Sequence, residues 1–339
     1  MKKPDLKNLK ITGIAPAKVI LSGEYSVLYG ASALATAISL HIKASLEKLE
    51  APIIRVLGKK ITQYSLEECR AIAQKNDRKY DQFLAGHIPI KSVLNHSDDL
   101  LLSILNRRLD HSGKQGFAID IRSSIPIGSG FGSSSAVISV LSLIAAYMTG
   151  NPFKSNKELI AETRYMERLQ HGKAGIIDST TIVEGGIVHI NYHMTVKKQE
   201  DLMSEWWAVD TGKPEKSTGE CVSFVNKYFA KSSIWSEFNA ITNNMAKSIQ
   251  NNDADSICNT IRLNHSFLKS IGVVPEPICQ FICSIEAKGG AAKISGAGNI
   301  KGNKAGLVLV YNYDPRELSS LYKYPCYKIK CEQNGTMLA

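Results

Sequence analysis

A glycine- and serine-rich segment that runs directly into an apolar stretch constrains the fold of this chain more than any other feature. It reads P-I-G-S-G-F-G-S-S-S-A over residues 126–136, and the apolar stretch continues from Val137 to Met148 with no helix breaker before Gly150. Glycines let the backbone turn so that successive N–H groups point inward, and the start of a helix adds about half a positive charge at the same place. The segment therefore predicts a loop followed by a helix, arranged to bind an anion such as phosphate.

The residues of this segment leave two interpretations open: a phosphate-binding loop, or a glycine-rich turn whose serine caps the helix. It is not a P-loop, because it lacks the pattern G-x-x-x-x-G-K-[ST] and no lysine follows its last glycine. The hydroxyl groups at its end are suited either to helix capping or to holding a magnesium ion.

Composition excludes several classes of protein. With 339 residues the chain is long enough for two domains, and it has no apolar run of the length that spans a membrane. The net charge of +10 fits a substrate with several negative charges better than nucleic acid, because the basic residues form no long run and aromatic residues amount to 7%. The seven cysteines are odd in number and scattered, which predicts free thiols in a reducing cytoplasm.

The hydrophobic pattern predicts an α+β protein with a domain boundary in the polar stretch 193–205, giving domains 1–195 and 196–339. Strands are predicted at residues 14–21, 117–121 and 187–190 of the first domain and at 291–294, 305–311 and 327–331 of the second. Helices are predicted at residues 98–109, 133–148 and 157–170, and then at 219–230, 233–250, 254–271 and 275–288.

Three further segments carry candidate catalytic or binding residues. Residues 15–30 place Lys18 in an apolar strand, residues 167–186 contain Glu167 and Asp178, and residues 291–298 read A-A-K-I-S-G-A-G. Taken singly, each segment has a plain structural interpretation. Lys18 fits an edge strand, Asp178 fits a helix N-cap with the hydroxyl residues that follow it, and the last segment fits a hairpin.

In this order the four segments resemble the GHMP kinase family, and within it the mevalonate kinase branch, from Ile14 to Tyr311. The resemblance implies a two-domain GHMP kinase fold, with a ribosomal protein S5 domain 2-like N-terminal domain and a ferredoxin-like C-terminal domain. It also implies transfer of the ATP γ-phosphoryl group to the primary hydroxyl of mevalonate, a step toward isoprenoid precursors. The active site is expected in the cleft between the two domains.

The resemblance assigns roles to individual residues. Asp178 is expected to act as general base or to orient the acceptor hydroxyl, with Lys18 paired to it, while Ser134 and Glu167 are expected to ligate Mg²⁺. The residues expected to bind ATP are Pro126, Gly128, Ser129, Gly130, Phe131, Gly132, Ser133, Ser134 and Ser135. The residues expected to bind the acceptor, a small hydroxylated acid, are Glu24, Tyr25, Thr218, Gly296 and Ala297.

Two positions depart from the family pattern. Tyr25 stands where mevalonate kinases usually carry histidine, and residues 299–304, N-I-K-G-N-K, replace further glycines. The two lysines of residues 299–304 either contact nucleotide phosphates or face water. Because Tyr25 is expected near the acceptor, a phosphomevalonate or sugar kinase remains an alternative to a mevalonate kinase. The segments D-T-G-K-P-E-K-S-T at 210–218 and Asn264-His265 favour the mevalonate branch.

Functions of other classes have weaker support. Some family members are regulators that bind ligands without catalysis, but such a protein is expected to lose its base or metal ligand, and this chain retains both. Nucleic acid and membranes are not expected partners. Monomers and dimers both occur in such families, so a homodimer is compatible with the sequence.

Overall fold

The computed structural model of the protein describes residues 9–108, 115–190, 196–199 and 205–339. This described part of the chain contains two β-sheets with helices packed against them. The strands are β1 (Lys10–Ser22), β2 (Ala33–Leu49), β3 (Ile53–Leu57), β4 (Thr62–Ser65), β5 (Gly116–Ser123), β6 (Ile187–Ile190), β7 (Val196–Gln199), β8 (Trp206–Asp210), β9 (Ala291–Ser295), β10 (Leu307–Tyr311), β11 (Cys326–Lys328) and β12 (Met337–Leu338). The helices are α1 (Leu66–Leu84), α2 (Asp99–Arg108), α3 (Ser133–Met148), α4 (Asn156–His171), α5 (Ile177–Glu184), α6 (Thr218–Phe229), α7 (Ile234–Gln250), α8 (Ala254–Ser270), α9 (Glu276–Glu286) and α10 (Arg316–Tyr322).

The first sheet is built mostly from the N-terminal half of the chain. Its strand order is β12-β1-β2-β5-β3-β4, while β6 pairs with β2 and β7 pairs with β6. Strands β1 and β2 pair over most of their length, with a shift in register after Pro16, which has no N–H to donate to the ladder. Lys18 follows this shift and lies in the buried half of β1.

The second sheet has four antiparallel strands in the order β11-β8-β10-β9. Helices α6 to α9 lie between β8 and β9 in the chain, and α10 lies between β10 and β11. The βαββαβ succession with this strand order is that of a ferredoxin-like domain. The α+β, two-domain fold predicted from the sequence is confirmed.

Helix α3 carries apolar residues on nearly every face, and other elements of the fold cover it on nearly all sides. It packs on β1 and β2 and against α2, α4 and α5. Its buried residues include Val140, Leu141 and Ile144, each fully inaccessible to solvent. This packing brings the start of α3 beside Lys18 on β1 and Ile182 on α5.

Helices α6 to α9 begin and end within two residues of their predicted bounds, whereas no helix was predicted at α10. The two sheets do not divide the chain at residue 195, however. Strand β7 pairs with β6 in the first sheet, and β12 returns from the C-terminus to pair with β1. Most of the predicted boundary stretch, residues 193–195 and 200–204, lies outside the described residues.

All seven cysteines carry free thiols, as predicted. Cys69, Cys221, Cys258 and Cys279 are buried and act as small apolar side chains of the core. In the described part of the chain, no helix combines the length and the apolar character needed to cross a bilayer.

Candidate active site

The glycine-rich segment forms a loop that ends directly at α3. Gly128, Gly130 and Gly132 have φ angles of +81°, +101° and +77°, which residues with a Cβ rarely adopt. Gly132 is the N-cap of α3, and no side chain caps this helix. The serine-cap interpretation is therefore wrong, since Ser133 and Ser134 lie inside the first turn. The uncapped N–H groups and the helix dipole together form a site for an anion.

Alternate residues anchor this loop and leave its glycines accessible. Ser129 Oγ donates to Asp210 Oδ2 at 2.6 Å, and Asp210 Oδ1 accepts from the Gly212 N–H at 2.8 Å. The Phe131 carbonyl accepts from the Lys18 N–H at 3.0 Å, and the Phe131 ring is buried. Because its side chain is committed to Asp210, Ser129 positions the loop. Sequence reasoning missed this role of Asp210, since no local signal reveals a contact across 81 positions.

Lys18 and Asp178 form an ion pair beside the start of α3. Lys18 Nζ lies 2.9 Å from Asp178 Oδ1, and the side chains are 3% and 35% exposed. Asp178 lies in the first turn of α5, whose N-cap is Ile176, so Asp178 does not cap that helix. A buried ammonium group requires a counter-charge, which Asp178 supplies. The exposed part of the Asp178 carboxylate is free to accept a hydrogen bond from a bound hydroxyl group.

Glu167 forms the centre of a second, more deeply buried cluster. It is 3% exposed and accepts hydrogen bonds from Ser135 Oγ and, at 3.3 Å, from Ser134 Oγ. Burial, and after it the negative charge of Asp178, raise the pKa of Glu167 to about 7. Burial thus disfavours the charged form of Glu167, although the two serine hydroxyls and the charge of Lys18 oppose this effect.

This donor set fits the magnesium ion that the family implies. Mg²⁺ prefers hydroxyl and carboxylate oxygens, and it is usually held by one or two carboxylates with water and substrate phosphate. A cation next to Glu167 would also stabilise the ionised carboxylate that burial and Asp178 disfavour. Within the described ranges, no group of three or more His, Cys, Asp or Glu side chains forms a complete metal cage.

His171 also joins this cluster, although sequence reasoning left it out of the chemistry. Its Nε2 lies 3.3 Å from Ser134 Oγ, so the imidazole is placed to orient the Ser134 hydroxyl. The available signal was the spacing, because Glu167 and His171 lie four residues apart and therefore on one face of α4.

Glu24 and Tyr25, predicted to bind the acceptor, face the interior. Glu24 forms an ion pair with Lys293, and the two side chains are 1% and 0% exposed. The Tyr25 hydroxyl donates to the Ala297 carbonyl, and burial raises the pKa of Tyr25. Both contacts join the end of β1 to residues 291–298. Glu24 and Tyr25 therefore position that segment, and their contact with an acceptor stays a prediction.

Two of the other three residues predicted to bind the acceptor, Gly296 and Thr218, lie in different environments, and the third, Ala297, is the residue whose carbonyl accepts from Tyr25. Gly296 has a φ of +108° and faces open space, since a Cβ there would meet nothing within 4 Å. Thr218 is exposed at the start of α6, where Ser217 and Glu220 form a capping box. The structure thus brings together Lys18, Asp178, Glu167 and the glycine-rich loop, and the described contacts do not join Thr218 to them.

The chain is similar to known kinases in sequence and in fold. The family model for the GHMP kinases N terminal domain matches residues 99–186. The mevalonate kinase of Methanocaldococcus jannaschii is 29% identical over 317 residues, which cover 89% of this chain and 93% of that protein. A crystal structure of mevalonate kinase matches with a TM-score of 0.76 at 23% identity, covering 96% of this chain and 100% of that one. The structure of L. major mevalonate kinase in complex with R-mevalonate matches with a TM-score of 0.71 at 18% identity, covering 99% of this chain and 100% of that one.

Proposed function

We propose that this chain, a phosphotransferase of the mevalonate kinase type, transfers the γ-phosphoryl group of ATP to the primary hydroxyl of mevalonate. The observation that carries the proposal is the ion pair between buried Lys18 and partly exposed Asp178 beside the uncapped start of α3. This arrangement offers a carboxylate for a hydroxyl and a cationic, N–H-lined site for phosphate. The L. major relative, whose structure contains R-mevalonate, supports this choice of acceptor.

In this mechanism, positioning and charge stabilisation do most of the work. Asp178 accepts a hydrogen bond from the acceptor hydroxyl and orients its oxygen toward the γ-phosphorus. Lys18 holds Asp178 and stabilises the negative charge on the transferring group. The loop glycines and the start of α3 bind the ATP phosphates. Ser134 and Glu167 would hold Mg²⁺, which when bound neutralises phosphate charge.

A panel of acceptors tests the proposal. With ATP and Mg²⁺, we expect mevalonate to have a kcat/KM at least about a hundredfold above those of galactose and homoserine, because buried polar groups left unpaired by a wrong acceptor impose such differences. ADP release gives the rate, and phosphorus NMR of the product identifies the phosphorylated oxygen. A preference for phosphomevalonate or for a sugar would replace the assigned acceptor.

The seven free thiols favour the cytoplasm as the place of this reaction.

A further inference from the structure

Two lysines from separate segments flank the glycine-rich loop. A Cβ at Gly128 would lie 3.6 Å from the Cδ of Lys213, so the Lys213 stem runs along the loop. A Cβ at Gly212 would lie 3.0 Å from the Cδ of Lys304 and 3.3 Å from its Nζ. Both lysines are exposed, and within the described part of the chain neither ammonium group donates a hydrogen bond or forms an ion pair. Two cations without an ion-pair partner within 4 Å thus lie near the proposed phosphate site, and Lys304 is close enough to Glu215 for its charge to help lower the pKa of that carboxylate.

The turn that carries Lys304 is held in place by buried contacts. The Asn299 side chain is fully buried and donates both to the Glu215 carboxylate and, at 2.9 Å, to the Lys304 carbonyl. Gly302 has a φ of +99°, a backbone conformation that residues with a Cβ rarely adopt, and it lies against the Glu215 carboxylate. These contacts fix residues 299–304 against the segment that follows β8. Lys304 is therefore presented by an ordered turn, next to Gly212.

The segment after β8 is in turn fixed to the loop. Asp210 accepts from Ser129 in the loop and from the Gly212 N–H, and a Cβ at Gly306 would lie 3.0 Å from the Ser129 carbonyl. The loop, the segment after β8 and the turn before β10 consequently form one connected rim. Lys213 and Lys304 both lie on this rim.

We propose that Lys213 and Lys304 bind the β- and γ-phosphates of ATP and so determine the affinity of the enzyme for nucleoside triphosphates. The inference rests on the proposed function, because it takes the loop as the ATP-phosphate site. The loop N–H groups and Lys18 approach the phosphates from inside the protein. The two lysines supply positive charge from the solvent side, where a lysine ammonium acts as a mobile point charge. Lys304 belongs to residues 299–304, which replace the further glycines of the family pattern.

Calorimetric titration with ATP in the absence of acceptor tests this assignment. We expect Lys213→Gln and Lys304→Gln each to weaken ATP binding about threefold to tenfold, as for partly exposed charge contacts, and the double variant to weaken it by about the product of the two. Adenosine should bind all these variants as it binds the wild type. The matched control is Lys216→Gln, whose ammonium is already paired with Glu220 at 2.8 Å, and it should retain wild-type affinity.

Ionic strength gives a second readout. Wild-type ATP affinity should fall more steeply with salt than that of the double variant, and Lys→Arg substitutions at both positions should restore the wild-type slope. Wild-type ATP affinity in the double variant, or an equal loss of adenosine affinity, overturns the inference. Wild-type protein that binds ATP but phosphorylates another acceptor refutes the proposed function and leaves this inference standing.

Discussion

At the scale of single residues, the chemistry depends on how unequally Lys18 and Asp178 are buried. The ammonium group is 3% exposed and the carboxylate is 35% exposed. A fully buried carboxylate could not reach an acceptor, and a fully exposed lysine would be hydrated and mobile. The pair thus combines a fixed cation with an accessible oxygen, which is what orienting a hydroxyl group and stabilising a phosphoryl group require.

Asp178→Asn should lower kcat by about a hundredfold to ten-thousandfold, the range for loss of a general base or a group that orients the hydroxyl. The amide keeps an oxygen near Lys18 but removes the negative charge. ATP affinity should stay within about threefold of wild type, because the loop and the start of α3 remain intact. Steady-state kinetics and calorimetry measure the two quantities.

The control for that substitution is Asp314→Asn, which removes a carboxylate from a surface pair with Arg316. It should have wild-type kcat. Full activity in Asp178→Asn would remove Asp178 from the mechanism, and loss of ATP binding would show instead that the variant disturbs the nucleotide site.

The ion pair between Lys18 and Asp178 could be inferred from the sequence. Each charge alone is costly to bury, so two opposite charges that one family pattern assigns to the same site are expected to pair. The orientation of Glu24 and Tyr25 could not be inferred. Their partners Lys293 and Ala297 lie 269 and 272 positions away, and no local pattern distinguishes a side chain facing a ligand from one facing another segment. For the same reason, the contact between Ser129 and Asp210 could not be predicted from the sequence.

At the scale of elements, the two ends of α3 provide a matched pair of glycines. Gly132 precedes the helix with a φ of +77°, and Gly150 follows it with a φ of +73°. Alanine costs about 1–2 kcal/mol of backbone strain at either place. A Cβ at Gly132 would also lie 2.9 Å from Ile182 Cδ1 and 3.0 Å from Lys18 Cγ, whereas a Cβ at Gly150 meets nothing within 4 Å.

Gly132→Ala should therefore lower kcat/KM by a factor of about ten or more, since displacing a catalytic group by even 1 Å has effects of this order. Gly150→Ala should lose comparable stability and keep wild-type activity. Urea unfolding of the two variants measures the cost of backbone strain, and steady-state kinetics measures the effect of displacing Lys18. Equal activity in both would mean that the start of α3 tolerates movement of Lys18.

Elements with a clear apolar pattern were predictable, including the four-residue strand β6, whereas the largely polar helix α1 and the short strand β12 were not. Helices α6 to α9 each bury one apolar face, α6 and α9 against the second sheet and α7 and α8 partly in the core that includes the first, so the spacing of their apolar residues marks them along most of their length. Strand β12 has two residues and owes its existence to the exposed edge of β1, which no pattern in residues 337–338 reveals. The assignment of the C-terminus to the first sheet therefore required the structure.

At the scale of the whole molecule, buried polar contacts connect the two sheets. Ser295 Oγ accepts from the Ile20 N–H at 2.8 Å and donates to the Ile20 carbonyl at 3.0 Å, and Lys293 pairs with Glu24 nearby. Burial lowers the pKa of Lys293, and the charge of Glu24 opposes this. Strand β9 of the second sheet is thereby fixed to β1 of the first, and the first and third motifs keep a constant relative position.

Lys293→Met should destabilise the protein by about 3–5 kcal/mol, because it leaves the Glu24 carboxylate buried without a partner. Combining it with Glu24→Gln should recover part of that loss. Lys216→Met, which breaks a surface pair, should cost less than about 1 kcal/mol. Urea unfolding measures all four proteins, and a loss of less than about 1 kcal/mol in Lys293→Met would mean that water reaches Glu24.

The stability of the whole molecule should also depend on pH through His265, which lies buried on α8 within electrostatic range of Lys269 and Lys293. Burial, together with these two positive charges, lowers its pKa from 6.5 to about 4. Between these values the unfolded chain binds a proton that the folded protein does not. The free energy of unfolding should therefore fall by about 3 kcal/mol as the pH drops from 6.5 to 4, at about 1.4 kcal/mol per unit. Urea unfolding should show that His265→Gln removes this slope of unfolding free energy against pH. The control, His87→Gln at an exposed position, should keep the slope. An unchanged slope in His265→Gln would assign the acid sensitivity to other groups.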